Sequence, residues 1–116
     1  MRIEQVMPVL SVPDVAQAVA FYSHLGFKVA KQMEGWAIMS HGDVQVMFAL
    51  PNALMPYDKP QLTGSLYFRV DDAAGLWQQL KDTVKVSYPL EDFSYGMREF
   101  AIVDPNGYLL QFGQEL

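Results

Sequence analysis

The chain has 116 residues, 51% of them hydrophobic, a net charge of −5 and no cysteine. That is enough apolar material for one domain with a packed core, and the lack of cysteine excludes disulfides, a thiolate nucleophile and any cysteine metal site. No run reaches the roughly 20 apolar residues of a membrane span, residues 1–5 lack the apolar centre of a signal peptide, and no Lys/Arg cluster offers a footprint for nucleic acid, so a cytoplasmic protein without membrane or nucleic-acid partners is expected.

In chain order, Val6 to Ser11 is short, apolar and rich in branched residues, which predicts a strand. Asp14 with Gln17 three residues on has the spacing of a capping box. The helix it opens runs to about Leu25 and places Val15, Ala18, Val19, Tyr22 and Leu25 on one face. Gly26 ends it as a C-cap. Phe27–Met33, Trp36–Ser40 and Val44–Ala49 read as strands, with turns at Glu34-Gly35 and His41-Gly42-Asp43. Pro51 to Thr63 holds three of the seven prolines and reads as a linker. Ser65–Val70 is then a strand, and about Ala73 to Lys81 a helix burying Ala73, Leu76, Trp77 and Leu80. Val84–Tyr88 is a strand followed by a loop through Asp92. Arg98–Val103 and Leu109–Phe112 are strands joined by the turn Asp104-Pro105-Asn106-Gly107.

The chain therefore reads twice. Val12-Pro13-Asp14 and Val70-Asp71-Asp72 each mark the passage from strand to helix, and Asp14 and Asp72 lie 58 residues apart, half the chain. The expected architecture is α+β: paired βαβββ modules, about 1–50 and 64–116, forming one domain whose curled mixed sheet makes a cup with the helices outside. Such modules generally build one site together.

The residues also carry a family likeness. Pro8-Val9-Leu10, Val12-Pro13-Asp14-Val15, Ala20-Phe21-Tyr22 and Leu25-Gly26-Phe27 resemble the opening of the glyoxalase/bleomycin-resistance/extradiol-dioxygenase superfamily. Tyr95-Gly96-Met97-Arg98-Glu99-Phe100 and Asp104-Pro105-Asn106-Gly107-Tyr108 resemble its close. The likeness is nearest to the bleomycin-resistance proteins, which sequester a drug without reacting with it, and Gly35-Trp36 and His41-Gly42-Asp43 strengthen it. It implies a homodimer, with an N-terminal strand exchanged between chains about a proline near Pro8 in the drug-binding members.

Enzymes of the superfamily hold a divalent metal with His and Glu from four strands. Matching motifs places those ligands at Met7, Met47, Ser65 and Gln111, none of which supplies an imidazole or a carboxylate. No metal and no other cofactor is therefore expected. Strand alternation puts Met7 and Val9, then Gln45, Met47 and Ala49, then Ser65, Tyr67 and Arg69, then Leu109 and Gln111 on the cup face. The opposite face is nearly all apolar and must meet the helices.

Trp36 is the leading aromatic platform for a ligand, with an ordinary partly buried core ring as the alternative. Tyr67 shares the cup face, while Tyr57, Phe93 and Tyr95 are rim candidates that equally fit plain packing. Arg98 and Glu99 are adjacent, so one of them faces the cup, and Glu99 there would meet a cationic group. Met33, Met39 and Met47 either adapt to a ligand or fill the core. His24 and His41 lack a partner at ligand spacing and read as surface residues.

The expected function is metal-independent binding and sequestration of a small, antibiotic-like molecule, a cationic one included. Its candidate contacts are Trp36, Gln45, Met47, Tyr67, Tyr95, Glu99 and Gln111, with no catalytic residue. The alternatives are a metal-dependent lyase/isomerase or dioxygenase of the superfamily, or a binding module for an unrelated metabolite or peptide.

Overall fold

Two aspartates 58 residues apart do the same work. In the computed structural model, which describes residues 1–53, 55–59, 62 and 64–116, Asp14 caps helix α1 (Val15–His24) by accepting from the Gln17 N–H at 3.1 Å. Asp72 caps α2 (Ala73–Leu80) by accepting from the Gly75 N–H at 3.0 Å. Each aspartate satisfies an amide that the first helical turn leaves without a partner. Leu25 closes α1, and Gly26 follows at φ +96°, a left-handed conformation in which a side chain is strained.

The chain divides into two compact units, Met1–Gln61 and Leu62–Leu116. The first contains β1 (Val9–Ser11), α1, β2 (Lys28–Met33), β3 (Trp36–His41) and β4 (Val44–Ala49), in a sheet of order β1-β4-β3-β2. The second contains β5 (Leu66–Arg69), α2, β6 (Lys85–Asp92), β7 (Met97–Val103) and β8 (Leu109–Glu115), ordered β5-β8-β7-β6. β1 runs parallel to β4 and β5 parallel to β8, and the other pairs are antiparallel. The fold is thus α+β, with the βαβββ order present twice and both sheets mixed. The proline-rich segment 51–63 falls partly outside the described residues.

Alternation decides which face packs. On β3 and β4 the side chains of Ala37, Met39, Val46 and Phe48 are buried, and Tyr22 of α1 meets the Phe48 ring at 4.4 Å. In the second unit Trp77 of α2 lies 5.3 Å from Phe100, which stacks on Phe112 at 5.2 Å, and Phe112 stacks on Phe68. Each fully buried ring of this kind contributes about 2–3 kcal/mol through the surface it removes from water. Met39, left without a face by its sequence, belongs to the helix-covered side.

Three strand boundaries depart from expectation by three residues or more. β1 begins at Val9 rather than Val6, because its parallel register starts where Met47 N–H donates to the Pro8 carbonyl. β6 continues through Asp92 where a loop was expected at Pro89. It is an edge strand, so a residue without an N–H is tolerated, and its register slips between Val86 and Tyr88 and again between Tyr88 and Glu91. β8 runs on to Glu115, three residues beyond Phe112, because Gly113 and Gln114 pair with Glu99 and Arg98. The turn before β8 is held by Asp104, whose carboxylate accepts from the Asn106 and Tyr108 amides at 2.9 Å each.

Candidate ligand-binding site

The face of the second sheet turned away from α2 carries a polar cluster centred on one acid. Glu99 is only 2% exposed, and three tyrosines donate to it. Tyr67 Oη reaches Oε1 at 2.6 Å, Tyr95 Oη reaches Oε2 at 2.9 Å, and Tyr88 Oη also donates to Oε2. Gln111 Nε2 donates to Tyr88 Oη at 2.9 Å, and Ser65 Oγ donates to Gln111 Oε1. Hydroxyls and amide thus polarise one another toward a single negative charge.

The backbone explains why these groups meet. Glu99 pairs with Gly113 across β7 and β8, and Tyr67 pairs with Gln111 across β5 and β8. A Cβ on residue 113 would sit 1.9 Å from Tyr67 Oη, so only glycine lets the phenol pass over β8 to Glu99. Tyr95 arrives from the hairpin between β6 and β7, where Phe93 N–H donates to Met97 O and Gly96 takes φ +85°. Its ring lies on Phe93 at 5.4 Å and 7°, and Phe93 meets Tyr88 edge-on. These contacts hold the phenols in place.

Charge follows geometry. Burial pushes the Glu99 carboxyl up, but the hydrogen bonds from Tyr67, Tyr88 and Tyr95 outweigh it and hold the group below its ordinary value, as an anion. Burial and then the Glu99 hydrogen bond raise all three phenols, Tyr88 to about 12. The cluster is therefore a carboxylate ringed by neutral phenols. Tyr67, Tyr95, Glu99 and Gln111, with Arg69 and Met97, line a cavity of about 360 Å³. Arg69 pairs with Glu115 at 3.7 Å on the exposed side.

Four of the seven sequence-derived contacts, Tyr67, Tyr95, Glu99 and Gln111, thus come together. The choice between Arg98 and Glu99 is settled: Arg98 makes a bidentate pair with Asp92 at 2.8 and 3.1 Å, and Glu99 joins the cluster. Phe93, a rim candidate, supports Tyr95 from below. Sequence reasoning missed Tyr88, because the slipped register of β6 defeats alternation counting. It also missed Gly113, although a glycine inside a strand pattern signals a close approach.

In the first unit, Trp36, Gln45 and Met47 share the face turned away from α1. Trp36 pairs with Ala49, Ile38 with Met47, and Ser40 with Gln45, and all six side chains are half-buried. Lys31 Nζ lies 5.8 Å over the Trp36 ring, and Gln5 Nε2 donates to Gln45 Oε1 at 2.6 Å. His24 and His41 are exposed, with His41 beside the Phe27 ring.

A divalent metal, which the family's enzymes use, does not suit these donors. Ser65 and Gln111 spend their polar atoms on each other and on Tyr88. Glu99 accepts three phenols, and the matching strand of the first unit offers the thioether of Met47. A hard or borderline ion prefers imidazole or carboxylate donors.

A βαβββ order present twice, with a partly polar face turned away from each helix, defines a class of protein built on mixed-sheet repeats. The chain belongs to the Glyoxalase/Bleomycin resistance protein/Dioxygenase superfamily, whose family model matches residues 2–112. Among individual proteins it is 31% identical over 119 residues to a bleomycin resistance protein of Klebsiella pneumoniae, covering 96% of this chain and 92% of that one. It is also similar to the crystal structure of a bleomycin-binding protein complexed with bleomycin, at 27% identity and a TM-score of 0.74, covering 98% of this chain and all of that one. A bleomycin resistance determinant encoded on the transposon Tn5 gives 27% identity and a TM-score of 0.76, over 97% and 98% of the two chains.

Proposed function

We propose that this protein binds and sequesters a small, antibiotic-like molecule without a metal and without covalent chemistry, as a protein of the bleomycin-resistance type. The observation that carries the reading is the donor set of that face. Of the four positions that would hold a metal, Met7 and Met47 are thioethers, and Ser65 and Gln111 are a hydroxyl and an amide bonded to each other, beside a cavity lined by Tyr67 and Tyr95. Such a face can hold a ligand by stacking and hydrogen bonding, but it offers no activated nucleophile, because the phenols are pushed toward their neutral form. Similarity to proteins named for bleomycin resistance and bleomycin binding supports the ligand class.

Trp36, Gln45, Met47, Tyr67, Tyr95, Glu99 and Gln111 are the proposed contacts, with Trp36 as a stacking platform. The working form is a cytoplasmic homodimer with Pro8 as the hinge of an exchanged N-terminal segment. Resistance would follow from a lower free drug concentration.

The test is a titration with metal-free bleomycin, followed by tryptophan fluorescence and calorimetry, with recovery of the drug afterwards. Saturable micromolar binding and unchanged drug are expected. Chemically altered drug, or stoichiometric zinc, nickel or iron in the purified protein, would replace sequestration with enzymatic action.

A further inference from the structure

We infer that the Glu99 cluster is a subsite for a protonated primary amine, with Glu99 Oε1 and the phenol oxygens of Tyr67 and Tyr95 as its three acceptors. The inference rests on the reading of this face as a binding site and names the ligand group it selects. A carboxylate has about four lone-pair positions. On Glu99, which lines the cavity although only 2% exposed, Oε2 receives both Tyr88 and Tyr95, whereas Oε1 receives Tyr67 alone and so has capacity for one more donor.

Tyr67 and Tyr95 each give their single proton to Glu99, so at the cavity their hydroxyls act as acceptors. Their rings are 45% and 62% exposed, which keeps them within reach of a ligand. A phenol that donates to an anion becomes a stronger acceptor in turn. Tyr88 differs, because its oxygen already accepts from Gln111. Three acceptors with one negative charge match the three N–H donors and one positive charge of an ammonium group.

Other cations fit less well. A guanidinium prefers two parallel bonds to one carboxylate, and Oε2 is already filled. A quaternary ammonium has no N–H to give. An anion would meet the Glu99 charge, and among the described residues lining the cavity the one cation, Arg69, lies 3.7 Å from Glu115 in an exposed pair. The stacked Phe93 and Tyr95 rings stand beside this position, so an amine carried on an aromatic group finds a surface as well as a charge.

The probe is phenethylammonium, compared with 2-phenylethanol and with the trimethylated phenethylammonium, in titrations followed by the tyrosine ring NMR signals. Tyr67→Phe and Tyr95→Phe assign the signals. The primary amine should shift both Tyr67 and Tyr95 saturably. The alcohol and the quaternary amine should bind about tenfold more weakly, the loss expected when a hydrogen bond to a charged group is removed.

Glu99→Gln should lower amine affinity by a similar factor. Should that variant unfold, Tyr95→Phe keeps the exposed ring and its stack and should still weaken the amine measurably. Absence of a saturable shift, or equal affinity for primary and quaternary amines, overturns the inference. So does amine binding left unchanged by both Glu99→Gln and Tyr95→Phe.

Bleomycin titrations on the same samples separate the two readings. Bleomycin binding without amine selectivity removes the subsite and keeps sequestration. Amine selectivity without bleomycin binding keeps the subsite and removes the drug reading.

Discussion

Trp36 and Glu99 occupy the same place in two copies of one framework. Val9 pairs with Met47 and Tyr67 with Gln111 in the two parallel ladders. Two residues beyond Met47, Ala49 faces Trp36, and two residues beyond Gln111, Gly113 faces Glu99. The first unit fills that place with a half-buried indole beside a thioether. The second fills it with a carboxylate that gathers three phenols. The backbone repeat thus fixes positions, while the small residue opposite differs: Ala49 stands across from Trp36, and Gly113 clears a path for Tyr67.

The sharpest way to break this comparison is to truncate both residues. Glu99→Ala removes the acceptor shared by three phenols and should cost about 3 kcal/mol of stability. Trp36→Ala, at a half-buried position, should cost about 1 kcal/mol. Equal costs in urea denaturation would mean that the two places are equivalent in energy as well as in geometry.

The residues opposite are the next lever. Gly113→Ala should drive Tyr67 from Glu99 and cost about 2 kcal/mol, the worth of a hydrogen bond to a charged group. Ala49→Gly, the mirror change in the first unit, should cost only about 0.5–1 kcal/mol through backbone entropy. In Gly113→Ala one tyrosine should also ionise earlier on alkaline titration, and an unchanged ultraviolet titration would show that Tyr67 does not depend on the missing Cβ.

The pH dependence should belong to the second unit. The Tyr88 phenol is raised from 10 to about 12 in the fold, so its contribution is complete below pH 10 and is lost as the pH rises toward 12. Glu99 is lowered from its ordinary 4.5, so its contribution is present above that pH and is lost as the pH falls below it. Glu99→Gln should remove the acid limb and shorten the alkaline one, because burial still raises the Tyr88 phenol. If the variant's profile matches the wild type, the cluster does not govern either limb.

Ligand affinity gives a smaller effect. Trp36→Ala should weaken bleomycin binding by about 1 kcal/mol while leaving the protein folded. Calorimetry on the variant checks this, and undiminished affinity would make Trp36 structural. The smallest effect is expected at Arg98, whose pair with Asp92 lies at the exposed end of its strands. Arg98→Gln should leave thermal unfolding and drug binding nearly unchanged.

Much of the fold was legible because it rests on local signals. Asp14 and Asp72 announce helix starts, Gly26 a helix end, and alternation along β4 and β8 separates the buried Val46, Phe48, Leu110 and Phe112 from the half-exposed Gln45, Met47 and Gln111. Where alternation fails, at the bulges of β6, the face of Tyr88 is hidden from the sequence and the strand beyond Pro89 reads as loop. The cluster was half legible: parity placed Tyr67 and Gln111 on one face, but it could not choose between Arg98 and Glu99.

By itself the sequence determined the doubled βαβββ order, the helix caps and the apolar faces, because each depends on residue type and short-range spacing. Only the tertiary structure decided that Glu99 is the buried acid, that Tyr67, Tyr88 and Tyr95 arrive at it from three different segments, and that Gly113 makes room for Tyr67. The hydrogen bonds to Glu99 join residues up to 32 positions apart along the chain, and their register is set by strand pairing and bulges that no local pattern records.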